Sequence, residues 1–244
     1  MSEVADVSVP EAASAVETTT MVWIRHAEKL FKTGAPRARR FRFDAPIVRA
    51  DGQFESAFAR VIAAASRWGR ERAIVSIVCS PYLRTWQTAK GIAKEFWKHC
   101  GASPRIAIDN RLSEHVGLRA GPRSADCVRD PDEFWTPGTV ARAGGSLAAL
   151  PMSGESEDDL AARCVSHVRS DVLAPRGSTL EVVVTHNSVI RGAVGAALAE
   201  LAGIGVEVDG GTAPQPLHTK ELHGAVLAVS RRDGAIVSAR VARF

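Results

Sequence analysis

Three short apolar runs constrain this chain most, because each ends without a spacer in a residue that can do chemistry. Met21–Ile24 runs into Arg25-His26, Ile74–Cys79 into Ser80-Pro81, and Val182–Val184 into Thr185-His186. Continuous apolar runs of this length are the pattern of strands buried on both faces. Between and after them, apolar residues recur at helical spacing. Phe54, Phe58, Val61, Ile62, Ala65 and Trp68 mark one helix over about 52–68. Trp86, Ala89, Ala93 and Phe96 mark a second, which Ser80-Pro81 is expected to open as cap and first residue. Leu160, Cys164, Val168 and Val172 mark a third, in which Asp159 and Arg163 are spaced to pair. Val189, Ala193, Ala197 and Leu201 mark a fourth. Strands alternating with amphipathic helices predict an α/β fold with a mostly parallel central sheet and helices on both faces. Sites in such sheets lie outside the carboxyl ends of the strands.

The remaining segments are read more briefly. Residues 1–20 lack any period and are expected to form a disordered acidic tail, with the folded domain running from 21 to 244. Arg105–Ile108 is a short further strand, and Ala225–Ser230, Asp233-Gly234 and Ala235–Ala239 read as a closing hairpin. Residues 110–150 carry Gly-Pro, Asp-Pro, Thr-Pro-Gly and Gly-Gly turns and little period. So long an irregular stretch inside a domain is expected to be a lid-like insertion.

Charge narrows the class of partner. The overall formal charge is +4, and residues 1–20 hold four carboxylates with no Lys or Arg, so the folded body is more basic still. That sign favours anionic substrates. The excess gathers in Lys32, Arg37, Arg39, Arg40 and Arg42, a run that suits a solvated loop or a substrate-side surface. Cys79, Cys100, Cys127 and Cys164 lie far apart without metal-ligand spacing and are expected to be reduced, in a cytoplasmic protein. No apolar run approaches the roughly 20 residues of a membrane helix, and the N-terminus lacks the pattern of a signal peptide. A membrane is therefore not an expected partner, and nucleic acid is a weak one.

Brought to one crevice, Arg25, His26, Ser80, Arg84 and His186 would form a pocket for a tetrahedral oxyanion. Guanidinium forks suit phosphate oxygens, and helix N-termini after Ser80 and His186 add backbone amides. A neutral imidazole among such cations can attack phosphorus, because the cations neutralise the phosphoryl oxygens. Glu28 is a second candidate proton donor or a surface carboxylate, His115 a substrate contact or a plain loop histidine, and Trp135 a residue that could equally cover the site or anchor the loop. His218 and His223 lack an evident third ligand for a metal.

These residues resemble the histidine phosphatase superfamily, also called phosphoglycerate mutase-like. Its Arg-His-Gly resembles Arg25-His26-Ala27, and its Ser-Pro-x-x-Arg-x-x-Gln-Thr-Ala is met by Ser80-Pro81-Tyr82-Leu83-Arg84-Thr85-Trp86-Gln87-Thr88-Ala89. Leu112-Ser113-Glu114-His115-Val116-Gly117, Gly154-Glu155-Ser156 with Asp159 and Arg163, and Thr185-His186-Asn187 are similar to its later motifs. The resemblance implies that His26 is the nucleophile and that Arg25, Arg84 and His186 hold the phosphoryl oxygens, with Asn187 at the substrate. It implies that Glu114 is the general acid and base, and that no metal or other cofactor is needed. The substrate would be a phosphorylated small molecule or a phosphoprotein. Asn187 stands where the family has glycine, and asparagine tolerates a left-handed backbone. Lys29-Leu30-Phe31-Lys32 replaces the Ser-x-Trp-Asn that continues the mutase motif, which points to the phosphatase branch. Phosphoglycerate mutase, sugar bisphosphatase and a silent phosphate-binding module are the alternatives. Oligomeric state is not readable from the sequence.

Overall fold

A computed structural model describes residues 15–30, 44–48, 50–66, 74–101, 103–114, 135–146, 155–174, 179–209 and 220–244. The basic run from Lys32 to Arg42, His115, Val116, Gly117, Cys127, Gly154 and His218 lie outside the described residues, as do the tail through residue 14 and 115–134 of the insertion.

The elements in chain order are β1 (Glu17–Arg25), α1 (Gln53–Ser66), β2 (Ile74–Cys79), α2 (Leu83–Cys100), β3 (Ile106–Ile108), α3 (Pro137–Arg142) and α4 (Glu157–His167). They continue with β4 (Thr179–Thr185), α5 (Asn187–Gly203), β5 (Val208–Asp209), β6 (Gly224–Arg232) and β7 (Ala235–Arg243). A 3₁₀ turn, Asn110–Leu112, follows β3, and a π-helical turn, Val168–Val172, continues α4. Among the described residues the strands make one sheet in the order β3-β2-β4-β1-β6-β7-β5. The half that carries the candidate site, β3-β2-β4-β1, is parallel throughout. β6 then pairs antiparallel with both β1 and β7.

Alternation along the strands splits the core into two layers. Met21, Trp23, Val183, Leu227 and Val229 face α4 and α5, where Leu160, Cys164, Val189, Ala193 and Leu201 are buried. Val22, Ile24, Ile77, Cys79, Val182 and Val184 face α1 and α2, where Phe58, Val61, Ala89, Ile92 and Phe96 are buried. The expected α/β sheet with helices on both faces is thus the architecture found. Gly91 permits the close approach of α1 and α2: a Cβ there would lie 2.6 Å from the Phe54 ring.

Four local expectations are corrected. β1 begins at Glu17 rather than Met21, because Glu17–Ile24 pairs with Gly224–Arg231 of β6. Residues 17–20 therefore belong to the sheet and not to a tail. α2 begins at Leu83, and its N-cap residue Tyr82 makes no side-chain capping bond. Ser80 Oγ lies instead 3.0 Å from His186 Nε2, and the Leu83 amide is taken by the Asp44 carboxylate at 2.6 Å. The expected Asp159–Arg163 pair does not form, since Asp159 closes a capping box with Ser156 while Arg163 turns to Glu155. Within the irregular stretch, Thr136-Pro137 opens α3 as cap and first residue. β5 was not anticipated; two residues carry no readable period.

The Asp233-Gly234 turn is as expected. Both residues have positive φ, 53° and 79°, as a two-residue hairpin of the favoured twist requires.

Candidate active site

The site forms where β1, β2 and β4 end together. Register alone sets this: Arg25 lies opposite Thr185, and Cys79 opposite Val184. The pairing then runs one residue past each strand. The His26 amide donates to Thr185 O at 3.0 Å, and the Ser80 amide to Val184 O at 3.2 Å. His26, Ser80 and His186 are consequently delivered to one level, all buried. The His26 and His186 rings meet edge to face with centroids 5.2 Å apart.

The residues around them fix which nitrogen is which. His26 Nδ1 lies 2.7 Å from the Ala27 carbonyl oxygen. A carbonyl only accepts, so Nδ1 carries the proton and Nε2 keeps its lone pair. His186 Nδ1 lies 3.2 Å from Arg84 Nη2, which only donates, so His186 is the opposite tautomer, with Nε2–H directed at Ser80 Oγ. Burial, reinforced by Arg84 and more weakly by Lys29 and Arg25, holds the His26 imidazole well below its ordinary pKa despite the Ala27 carbonyl. Burial, then Arg84 and His26, does the same to His186. Both rings are therefore neutral at physiological pH, and His26 has the lone pair a nucleophile needs.

The second motif builds the floor. Arg84 is fully buried on the first turn of α2, and Nη2 donates to Glu114 Oε2 as well as to His186. Thr88 accepts from the Ala27 amide at 3.0 Å and passes its own proton to Arg84 O at 2.7 Å. This ties the residue after His26 to the helix that carries Arg84. Gln87 Oε1 accepts from the Ile47 amide at 3.0 Å and so clamps segment 44–48 across α2. Ala89 is fully buried in the layer between α2 and the sheet.

Segment 44–48 also accounts for Asp44. Its carboxylate is fully buried and accepts from the amides of Leu83 and Thr136 and from the hydroxyls of Thr136 and Thr139. It joins the N-terminus of α2, where a negative charge is favoured, to α3. Arg142 closes the same knot through Pro81 O and Thr139 Oγ1. Trp135 is buried against Tyr82 at 4.7 Å, and Tyr82 in turn faces His186 at 4.9 Å, with Arg84 Cζ 4.7 Å from its ring centre. Trp135 thus anchors the site's wall from behind.

The expected site residues are found as follows. His26, Arg84, Glu114 and His186 come together directly. Arg25 stands at the rim, 3.3 Å from Glu221 Oε1. Asn187 is the first residue of α5, and its backbone is not left-handed; among described non-glycine residues only Leu222 and Asp233 have positive φ. The glycine-like conformation expected of Asn187 is therefore not used. Glu28 contributes its carbonyl to Val48 N at 2.8 Å. His223 supplies its carbonyl to the Arg25 amide, and its Nδ1 lies 2.9 Å from Glu221 O. Lys29 was missed: its Nζ lies 3.8 Å from Glu114 Oε2. Its place three residues after His26 was the available signal. Glu221, Tyr82 and Asp44 were likewise not foreseen as partners of the site.

Among the described residues, Asp109, His167 and Asp171 bring three potential metal-ligand atoms within reach of one another. Arg111 Nη2 lies 2.7 Å from Asp109 Oδ2 and 2.5 Å from Asp171 Oδ2, so a guanidinium already serves those carboxylates as their cation.

Two buried imidazoles and a buried guanidinium thus gather where the parallel strands of an α/β sheet end. Residues 57–205, more than half of the chain, match the family model of the histidine phosphatase superfamily (branch 1), and the chain belongs to that superfamily. No curated protein sequence matches the chain significantly. Among solved structures it is similar to a phosphoglycerate mutase from Bacillus anthracis, at 17% identity and a TM-score of 0.48 over 92% of both chains. It is similar to the ecdysone phosphate phosphatase of Bombix mori, at 19% identity and a TM-score of 0.47 over 91% of this chain and 92% of that one. An alpha-ribazole phosphatase from Shigella flexneri is similar at 15% identity and a TM-score of 0.45, over 92% of this chain and 95% of that one. No described helix is long and apolar enough to cross a membrane.

Proposed function

We propose that this chain is a phosphatase that hydrolyses phosphomonoesters through a phosphohistidine at His26, without a metal. The observation that carries the reading is the tautomer of His26: its proton is held on Nδ1 by its own following carbonyl, and Nε2 is left as a lone pair. Nε2 attacks phosphorus as the ester P–O bond breaks. Arg84, at the floor, and Arg25, at the rim, are the fixed charges for the phosphoryl oxygens, and the neutral His186 ring, which takes Arg84 on Nδ1, becomes a donor to them when its Nε2–H turns from Ser80 Oγ. Arg84 is paired with Glu114. An arriving phosphate dianion competes for that guanidinium, and a dianion beside the carboxylate favours its protonated form. The displaced Glu114 is then suited to give its proton to the departing alkoxide, and afterwards to take one from the water that attacks the phosphohistidine.

Water is the expected acceptor because the mutase continuation is absent and Lys29 stands at its start, beside Glu114. The test is a panel of phosphomonoesters scored for released inorganic phosphate, with 3-phosphoglycerate and catalytic 2,3-bisphosphoglycerate as the mutase arm. Phosphate release across several esters, with no efficient isomerisation, is the expected result. Rapid isomerisation would make the chain a mutase, and binding without turnover of any ester would make it a phosphate-binding module.

A further inference from the structure

Glu114 stands on a turn that is held from the far side by a network the chemistry above does not use. β3 ends with the Asp109 amide bonded to Cys79 O at 3.0 Å, and the turn follows, closed by Leu112 N to Asp109 O and Ser113 N to Asn110 O, both 3.1 Å. Asp109 caps it, accepting from the Arg111 amide at 2.9 Å. The Arg111 guanidinium then spans the gap to α4. It meets Asp109 through Nε and Nη2, Asp171 Oδ2 through Nη2 at 2.5 Å, and Ser170 Oγ and Ser166 O through Nη1 at 2.6 and 3.2 Å. From below, the buried His167 ring puts Nδ1 3.4 Å from Asp109 Oδ2 and 3.3 Å from Asp171 Oδ2. These distances are long for hydrogen bonds and apt for ionic contact.

We propose that Arg111 and His167 are positioning residues for Glu114: together they lock the 109–113 turn to the end of α4 and so aim the carboxylate at the crevice. Two carboxylates are held there between two side chains, the Arg111 guanidinium above and the His167 imidazole below. Neither side chain reaches the phosphoryl pocket. The other charged groups nearby have their own work: Arg163 holds Arg111 O and Glu155, and Arg169 is turned outward to Glu200 of α5. Thr185 Oγ1, one residue before His186, donates to Leu112 O at 2.7 Å, which sets the same turn against the end of β4. Loss of Arg111 or His167 frees the α4 side while the β4 side stays, so the turn swings rather than dissolves. The consequence for catalysis rests on Glu114 being the proton donor.

Two readouts on full-length Arg111→Ala, Arg111→Lys and His167→Gln separate this proposal from that reading. The first is hydrogen exchange at the Leu112 and Ser113 amides. The second is the ratio of kcat on an alkyl phosphate to kcat on p-nitrophenyl phosphate, beside Glu114→Gln. Arg111→Ala and His167→Gln are expected to speed exchange at those two amides and not in β2 or β4. They are expected to lower the alkyl rate on the order of 10-fold more than the aryl rate, as outer partners of a catalytic group typically do, with KM little changed. Arg111→Lys is expected to recover part of both effects. Unchanged exchange would overturn the positioning role, whatever Glu114 does. Faster exchange with equal rate losses on both esters, while Glu114→Gln is selective, would overturn it as well. An unselective Glu114→Gln would instead remove the general-acid reading, leaving exchange to decide whether these residues hold the turn. Should Arg111→Ala fail to fold, Arg111→Lys and His167→Gln carry the same comparison.

Discussion

Asp44 offers the sharpest test of how the site is held, since it does no chemistry and yet touches both helices beside it. In Asp44→Ala, four donors lose their acceptor: the Leu83 and Thr136 amides and the Thr136 and Thr139 hydroxyls. The two hydroxyls lie 3.0 Å apart and can pair with each other. Two part-buried amides remain, each costing up to roughly 1–3 kcal/mol when unsatisfied. The lost charge at the N-terminus of α2 adds about 0.3–1 kcal/mol. A destabilisation of about 4 kcal/mol is therefore expected, a large share of the roughly 5–15 kcal/mol that holds a domain together. Urea unfolding followed by circular dichroism measures it, with Asp44→Asn as a milder comparison that keeps one acceptor oxygen. Because α2 carries Arg84 on its first turn, kcat should fall in the fraction that remains folded. A loss below about 1 kcal/mol in Asp44→Ala would refute the reasoning, since it would mean that those amides find other partners or water.

Further expectations concern chemistry and pH. Glu114→Gln should lose about 10²–10⁴ in phosphorylation rate on alkyl phosphates and far less on p-nitrophenyl phosphate, read by single-turnover kinetics across leaving groups of graded basicity; an equal loss throughout would leave the carboxylate only a structural part. Arg84→Ala should lower kcat on the order of 10²–10³ by analogy with removal of an oxyanion donor, and EDTA should leave the wild type unchanged; restoration of a treated sample by a divalent ion would point to another site. The neutral His26 and His186 have folded-state pKa values depressed below the ordinary histidine value, so the unfolded chain binds their protons first and stability falls as pH drops below about 6.5. His167 runs the other way: burial lowers its pKa, but Asp109 and Asp171 outweigh that and raise it. Its contribution is fully present below about 6.5 and is lost as pH rises through the raised value. Urea midpoints of wild type and His167→Gln should converge toward alkaline pH, and a gap that widens there would contradict the assignment.

The parts of this molecule that were legible in the sequence are those set by local pattern. Met21–Ile24, Ile74–Cys79 and Val182–Val184 announce themselves as buried strands, and the residues that follow each are delivered to one edge by parallel register alone. That register brings His26, Arg84 and His186 to the same edge, where their side chains meet. Glu114 followed from the family resemblance and not from a period. What stayed hidden is pairing between distant segments. Nothing local in Asp44 says that it caps α2 in place of Ser80, which is engaged by His186. Arg163 has an acidic residue four positions before it, yet Asp159 is spent on the Ser156 capping box and the arginine turns to Glu155. Glu17–Thr20 carries too few large apolar residues to read as a strand, and it is one because β6 supplies the partner.

The central claim is that His26 Nε2 takes the phosphoryl group. Rapid quench of the wild type with a labelled phosphomonoester, followed by peptide mapping, tests it most directly. The account predicts one phosphorylated peptide, containing His26, with a bond that is labile in acid and stable in base, and none from His26→Ala. A phosphoenzyme stable in acid, label on another residue, or full turnover by His26→Ala would contradict it.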